Sequence, residues 1–285
     1  MDYDYIVVGA GSSGCVLANR LSQTQSNRVL LLEAGPEDKN FWIHVPLGFG
    51  KNVNNSEVNW CYQGEAEPYC RGNQYLLPRG KVLGGSSSIN GMVYVRGQAE
   101  DFNHWAQLGN RGWSFDDVLP YFIKSEDNTR GSSSLRGSGG LLTVSDISET
   151  NELCDKLIDA GAELGLARND DINGEVQEGI GYHQATIRNG RRCSAAVAFL
   201  KPAKYRQNLK IETEALVEKI IFHGKKAAGV EFAKNGVSYT AFANSEVILS
   251  GGAFNSPQLL ELSGVGQPEV LKKAGIEVFH DLPGV

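Results

Sequence analysis

An α/β fold organised around a strand–turn–helix–strand unit is predicted for this 285-residue chain by two observations near its N-terminus. The glycines of Gly9-Ala-Gly-Ser-Ser-Gly14 follow the apolar run Tyr5–Val8 and precede a helical pattern. A second apolar run, Arg28–Leu32, leads to Glu33, an acid 19 residues beyond Gly14. This spacing is typical of dinucleotide-binding folds, in which the acid accepts hydrogen bonds from the adenosine ribose.

The glycine-rich turn predicts a pyrophosphate site. A helix that begins near Ser13 would direct its free N–H groups and the positive end of its dipole at the anion. A structural βαβ unit without a ligand is the alternative. The turn by itself does not distinguish NAD from FAD. The later segment Gly80–Met92, with paired glycines and serines, offers a second backbone surface against which a phosphate or a flat ring can lie.

Composition limits the classes of function. The chain is 41% hydrophobic and 21% charged, so it can bury a sizeable core in one large domain or two intertwined ones. Its 27 Lys and Arg against 33 Asp and Glu give a net charge of −6, which argues against nucleic-acid binding. The apolar runs are too short to span a membrane, and a first strand from about residue 4 leaves no room for a signal peptide. A cytoplasmic location is therefore expected.

The five cysteines are scattered, odd in number and without Cys-x-x-Cys spacing. This pattern favours reduced thiols over a disulfide framework or a zinc site, and no metal site is predicted. A Cys61–Cys70 pair is the minority alternative. Cys15, in the first turns of the nucleotide helix, is expected to be a small buried apolar residue.

The middle of the chain predicts a second, helical region. A stretch rich in Pro, Gly and Asn, Pro36–Pro78, is expected to wrap the nucleotide domain. Helices are predicted near Glu100–Gln107, Ser114–Lys124 and Asn151–Leu164, the last with Leu153, Leu157, Ile158 and Gly161 at helical spacing.

The C-terminal part predicts strands followed by a helix. The expected strands are Leu209–Phe222, Lys225–Ala233, Val237–Ala243 and Glu246–Ser250, with a hairpin turn at Asn235-Gly236. Ser256 is predicted as the N-cap of the following helix, Pro257 as its first residue and Gly264 as its end.

Two glycine-containing segments carry a resemblance to a known family. The first is Gly80–Met92, followed by Val93-Tyr-Val-Arg-Gly97, and the second is Gly252–Gly266. Both resemble the signatures of the glucose–methanol–choline (GMC) oxidoreductases, and choline-dehydrogenase-like members are the most similar. Asn59-Trp60 and the closing Asp281–Val285 extend the resemblance over nearly the whole chain. It implies a Rossmann-like FAD-binding domain with an intertwined substrate-side α+β region. The FAD-binding domain would comprise 1–35, 76–100 and 205–285, while 36–75 and 101–204 would be the wrapping and substrate-side segments.

The resemblance also assigns FAD contacts. Gly9, Gly11, Ser12, Ser13 and Gly14 would hold the pyrophosphate, and Glu33 and Ala34 the ribose and adenine side. The flavin would be lined by Val82, Gly85, Ser86, Asn90, Gly91, Met92 and Val93. Val217 would offer its backbone to the adenine edge, and Ala253 would lie near the pyrophosphate. Ile89 stands where some family members have a histidine that bonds to the flavin, so FAD is expected to be non-covalent.

No catalytic residue is assigned within this chain. The family's catalytic histidine follows the Pro283-Gly284 turn, where the sequence stops, and the five histidines present lie outside that motif. The chain is therefore expected to be an N-terminal fragment, inactive alone, of an enzyme that oxidises an alcohol, with choline as a candidate, by hydride transfer to the flavin. The electron acceptor and the oligomeric state are not predicted.

Two alternatives stay open at this point. One is a hydroxynitrile-lyase-like, non-redox member of the family, and the other is a flavin-binding remnant without catalysis. The predicted cytoplasmic location would also allow the protein to lie peripherally at the inner face of a membrane.

Overall fold

The computed structural model describes residues 2–285, which divide into two compact units. The first unit takes in the chain up to Asn90 together with Ser194–Val285, and the second is Gly91–Cys193. The predicted division into a discontinuous FAD-binding domain and wrapping and substrate-side segments stays a prediction. The segment 36–75, expected to wrap the nucleotide domain, belongs to the first unit, whereas 91–100 belongs to the second.

The elements are mixed α and β, as predicted. The strands are β1 (Asp2–Val8), β2 (Val29–Leu32), β3 (Tyr62–Gln63), β4 (Leu76–Leu77), β5 (Val93–Tyr94), β6 (Glu126–Asn128), β7 (Leu142–Val144), β8 (Gln184–Ala185), β9 (Ile187–Arg188), β10 (Arg191–Arg192), β11 (Leu209–Glu212), β12 (Ala215–His223), β13 (Lys226–Lys234), β14 (Val237–Leu249), β15 (Val265–Gly266) and β16 (His280–Asp281). The helices are α1 (Ser12–Leu21), α2 (Phe41–His44), α3 (Ala99–Gln107), α4 (Phe115–Ser125), α5 (Glu152–Glu163), α6 (Lys201–Ala203), α7 (Gly252–Leu262) and α8 (Pro268–Lys273). A 3-10 turn at Gly85–Ser88 also contributes to the site.

The first unit is built on a six-stranded sheet with the order β11-β2-β1-β14-β13-β12. The pairs β11–β2, β2–β1 and β1–β14 are parallel, while β14–β13 and β13–β12 are antiparallel. The predicted hairpin at Asn235-Gly236 joins β13 to β14, and both residues have positive φ. The two strands predicted between Val237 and Ser250 form one strand, β14.

The parallel strands lie in the core of the first unit. Every residue of β2 is buried, and Ile6 and Val7 of β1 are completely covered. Strands that are covered on both faces have continuous apolar sequences, which explains the runs seen in the sequence. Val8 pairs with Leu32 on one side and with Leu249 on the other, so β1, β2 and β14 end at the same edge of the sheet.

Helix α1 begins at Ser12, within the glycine-rich turn Gly9–Gly14, and packs beside β1 and β2. Its buried face includes Cys15 and Ala18, as expected for Cys15. Asn19, also buried, donates a hydrogen bond over 2.7 Å to the carbonyl of Phe199, which ties α1 to the π-helix Ala196–Leu200. Burial raises the pKa of the Cys15 thiol, which favours its protonated form.

The second unit has a buried ion pair at its centre. The Arg96 guanidinium donates to the Glu126 carboxylate over 2.6 Å, and both side chains are almost completely covered. Glu126 also accepts hydrogen bonds from the Gly137 N–H and the Asn128 amide, at 2.8 Å each. Leaving either charge of such a pair without its partner is costly, so Arg96 and Glu126 hold β6 and its neighbouring loop together.

One prediction about the helices is wrong in detail. Helix α7 begins at Gly252, not at Pro257, and Gly251 is its N-cap in place of Ser256. Pro257 lies inside the helix and has no N–H for the carbonyl of Ala253. The helix predicted near Asn151–Leu164 is present as α5, and two of its spaced apolar residues, Leu153 and Leu157, are exposed.

None of the helices formed by residues 2–285 combines the length and apolar character needed to cross a membrane. The same residues contain no cluster of three or more His, Cys, Asp or Glu that could hold a metal ion. All five cysteines are free thiols.

Candidate functional site

A cavity of about 610 Å³ lies in the first unit, at the carboxyl ends of β1, β2 and β14. In open α/β sheets this edge is where ligands bind. Ten of the sixteen residues proposed to contact the cofactor line it: Gly9, Gly11, Ser12, Ser13, Glu33, Ala34, Gly85, Ser86, Val217 and Ala253. The glycine-rich turn, the acid after β2 and the loop at Gly85 therefore meet at one cavity, although they are far apart in the sequence.

The three glycines of the first turn have different functions. Gly9 has φ +98°, and a Cβ there would lie 2.5 Å from the Ser250 carbonyl oxygen, so Gly9 makes the tight turn. A Cβ on Gly14 would lie 1.8 Å from the Gly9 carbonyl oxygen, so Gly14 permits close packing of α1. Around Gly11 the nearest protein atom to such a Cβ is 3.8 Å away. Gly11 borders the cavity, so its missing side chain leaves room for a ligand and not for protein.

Two helices present uncapped N-termini at the cavity. The N-caps of α1 and α7 are Gly11 and Gly251, neither helix is capped by a side chain, and neither has an acid in its first turn. Free N–H groups and the helix dipole at such ends favour an anion. The cavity therefore has the electrostatic character that a diphosphate requires.

The loop at Gly84–Ser88 is packed directly against the first turn. A Cβ on Gly85 would lie 2.7 Å from the Gly11 Cα, and Gly85 has φ +53°. The Ser86 hydroxyl accepts a hydrogen bond from the Gly80 N–H at 3.0 Å. Since a side chain at position 85 would separate the two loops, the glycine keeps both on one wall of the cavity.

The remaining predicted contacts are not part of this cavity. Gly14, Val82 and Asn90 belong to the first unit but do not line it. The Val82 side chain is fully buried in a cluster with Ile43, Val58 and Ile89, so only its backbone could approach a cofactor. The roles of Gly91, Met92 and Val93, in the second unit, stay predictions.

Several residues that line the cavity were not predicted from the sequence, notably Trp60, Arg79, Ser250, Phe254 and Asn255. Ser250 could have been found, because it ends a strand next to β1 and strand ends of a parallel sheet meet at the ligand edge. Arg79 directly precedes the loop at Gly80, but the sequence does not reveal that its side chain borders the cavity.

Comparison with known proteins identifies the family. A family model described as GMC oxidoreductase matches residues 3–276. The chain belongs to the GMC oxidoreductases. It is 49% identical to human mitochondrial choline dehydrogenase over 291 aligned residues, which cover all of this chain and 49% of that protein. The chain spans about half the length of the curated relatives it matches.

Solved structures of two oxidoreductases share this fold. Pyridoxine 4-oxidase from Mesorbium loti superposes with a TM-score of 0.96 at 36% identity, over 99% of this chain and 56% of that one. An FAD-dependent oxidoreductase from Chaetomium thermophilum superposes with a TM-score of 0.92 at 32% identity, over 99% of this chain and 51% of that one. The predicted family and fold class are confirmed, and FAD is the cofactor of this family.

Glu33 is compatible with an FAD ribose but is already engaged by the protein. One of its carboxylate oxygens accepts from the Ala10 N–H at 2.8 Å, and the other accepts from the Gly35 N–H at 2.9 Å. A carboxylate has about four acceptor positions, so two stay available for ribose hydroxyls. Glu33 is therefore both a candidate ribose ligand and a clamp between β1 and the turn after β2.

Burial raises the pKa of Glu33 to about 7, against the two backbone hydrogen bonds and the Lys81 charge, which lower it. The folded chain then keeps a proton that the unfolded chain, with an ordinary pKa of 4.5, has lost. The stabilisation of the folded chain by this retained proton on Glu33 is therefore complete below about pH 4.5 and is lost as the pH rises to about 7. A shift of this size corresponds to roughly 3 kcal/mol.

We expect the free energy of unfolding of cofactor-free Glu33→Gln to depend less on pH than that of the wild-type chain between pH 4.5 and 7. Glutamine keeps the size of the side chain, loses one acceptor and does not titrate. The hydrogen bond lost in Glu33→Gln shifts the free energy of unfolding equally at every pH. The quantity to compare is therefore the slope of the free energy of unfolding against pH. Urea unfolding at several pH values measures it. Equal slopes for the two proteins would show that Glu33 is ionised throughout.

Proposed function

We propose that this chain supplies the FAD-binding part of an enzyme that oxidises CH–OH groups, as in alcohol or choline oxidation. The supporting observation is the single cavity at which the Gly9–Gly14 turn, Glu33 and the loop at Gly85 meet. Two matching proteins support the reaction class by name, since a choline dehydrogenase and a pyridoxine 4-oxidase are both oxidoreductases. Bound FAD would supply the group that accepts a hydride from the alcohol.

The chain's own residues bind and orient the cofactor. First-turn N–H groups of α1 would receive the diphosphate, and the open space at Gly11 would let it approach the backbone. Free acceptor positions on Glu33 would hold the ribose. Leu249 and Leu259 line the cavity and would exclude water from the bound molecule.

Proton abstraction from the alcohol would need a group from outside this cavity. None of the five histidines is among the described residues that line it. In alcohol oxidation a neutral imidazole is a suitable general base. We therefore propose that the base and most of the substrate pocket are supplied by other polypeptide of the whole enzyme. The cytoplasmic location stays a prediction, and no electron acceptor or oligomeric state is proposed.

Oxidation of alcohols is tested with the whole enzyme that contains this chain. Reduction of an artificial dye is followed with choline, benzyl alcohol and other primary alcohols, with and without added FAD. The proposal predicts alcohol-dependent dye reduction that requires FAD. An enzyme that binds FAD but reduces no dye with any alcohol, and instead cleaves a hydroxynitrile, would contradict it.

FAD is expected to be bound without a covalent link. Ile89, at the position of the flavin-linked histidine in some relatives, has no nucleophilic atom, and its side chain is buried in an apolar cluster. Acid denaturation followed by ultrafiltration should release the yellow flavin into the filtrate. Yellow colour that stays on the denatured polypeptide would contradict non-covalent binding and would direct attention to another linking residue.

A further inference from the structure

The cavity has one positively charged lining residue among those described. Its lining carboxylates are Glu33 and Glu218, and its only lysine or arginine is Arg79. None of the ion pairs within residues 2–285 includes Arg79. A half-buried guanidinium that borders a cavity without a carboxylate partner is suited to an anionic ligand.

The backbone of Arg79 is held in place on both sides. Its N–H donates to the Asn59 side-chain oxygen at 2.9 Å, and its carbonyl accepts from the Trp60 N–H at 2.9 Å. Within the guanidinium, Nη1 donates to the Pro78 carbonyl at 2.6 Å. Arginine has five N–H donors, so most of this fork remains available to a ligand.

Phe254, an aromatic residue of α7, contacts the guanidinium of Arg79. The Arg79 guanidinium carbon lies 4.4 Å from the centre of the Phe254 ring. Phe254 packs edge-on against Tyr62, whose hydroxyl accepts a hydrogen bond from the Asn255 amide at 2.8 Å. The Arg79 guanidinium thus lies over the Phe254 ring, and this contact restricts the side chain before any ligand binds, which reduces the entropy lost on binding.

We propose that Arg79 binds the diphosphate of FAD as its charge partner, together with the N-terminus of α1. This inference rests on the proposed FAD site and adds a ligand that neither the glycine motif nor the acid after β2 includes. The diphosphate is dianionic near neutral pH, and planar, paired N–H donors of arginine fit its oxygens.

The test compares FAD with ADP-ribose, which carries the same diphosphate but no isoalloxazine ring. Dissociation constants for both ligands are measured by calorimetry on the wild-type chain, on Arg79→Gln and on Arg111→Gln. Arg111 is an exposed arginine of the second unit, so its variant removes the same charge at a distant position. Thermal unfolding of each variant checks that it is folded.

Arg79→Gln should lower the affinity for both ligands roughly 10- to 100-fold, because a hydrogen bond to a charged group is lost. Its affinity should also depend less on salt concentration than that of the wild type. Arg111→Gln should bind like the wild type. If Arg79→Gln does not fold, Arg79→Met, which keeps apolar contact with Phe254, is measured instead against the same criteria.

Two results would overturn the assignment while leaving the FAD site intact. One is a folded Arg79 variant that binds FAD and ADP-ribose as tightly as the wild type does. The other is a variant that loses affinity for FAD alone, which would place the guanidinium at the isoalloxazine ring. A folded wild-type chain that binds neither ligand would instead refute the FAD site itself, so the two failures are distinguishable.

Discussion

Gly14→Ala is expected to destabilise the first unit and to abolish FAD binding. Gly11→Ala should leave the fold intact and lower only the affinity for FAD. At position 14 the added Cβ would lie 1.8 Å from the Gly9 carbonyl oxygen, so α1 must move away from the turn. Overpacking of this kind costs about 1–3 kcal/mol or more. The displaced α1 N-terminus would also lose its alignment with the diphosphate.

Gly11→Ala is the matched control, because its Cβ approaches no protein atom more closely than 3.8 Å and the φ of Gly11 is −75°. The methyl group would occupy ligand space, and we expect affinity for FAD to fall at least about tenfold, or roughly 1.4 kcal/mol. Urea unfolding and FAD titration of both variants measure the two effects. Equal loss of stability in Gly11→Ala and Gly14→Ala would contradict the separate functions assigned to the two glycines.

Glu33→Ala should reduce both folding stability and FAD affinity. Removal of the carboxylate leaves the buried N–H groups of Ala10 and Gly35 without their acceptor. Each unsatisfied group costs about 1–3 kcal/mol, so a total of roughly 2–6 kcal/mol is expected. The ribose contact is lost as well. A purely ligand-binding role, which the sequence alone suggests, would leave stability unchanged.

Glu218→Ala provides the comparison for Glu33→Ala. Glu218 also lines the cavity, but it is exposed and lies on β12, away from the glycine turn. Its removal should change the free energy of unfolding by less than about 0.5 kcal/mol, as for ordinary surface substitutions. If Glu33→Ala and Glu218→Ala have equal unfolding midpoints in urea, the clamp function of Glu33 is excluded.

Local sequence signals predicted the nucleotide-binding half of the fold. The turn at Gly9–Gly14 and the acid Glu33 depend on backbone geometry that only a few residue types permit, so their positions follow from sequence. The hairpin at Asn235-Gly236 was predictable for the same reason, since two residues with positive φ favour Asn and Gly.

The start of α7 was not predictable in this way. Ser256-Pro257 is a good local signal for the beginning of a helix, yet the chain is already helical from Gly252. Strand β14 ends beside β1, and Gly252, with φ +87°, turns the chain there. The position of the sheet edge therefore outweighs the local preference, and the helix accommodates Pro257 in its interior.

Arg79 illustrates what depends on tertiary structure. In the sequence it is one of 27 basic residues. Its importance arises from Phe254, 175 positions later, and from a cavity whose walls come from several distant segments. Similarly, the spacing of leucines in α5 predicts an apolar face, but spacing cannot specify what covers that face.

We propose that the first unit of this chain binds the adenosine diphosphate part of FAD at the edge formed by β1, β2 and β14. Calorimetric titration of the folded wild-type chain with FAD and with ADP-ribose tests this site. We expect saturable binding of one molecule of either ligand per chain, competition between the two, and weaker binding by Gly11→Ala. Binding of riboflavin but not of ADP-ribose, or no binding of FAD by a folded chain, would rule the site out.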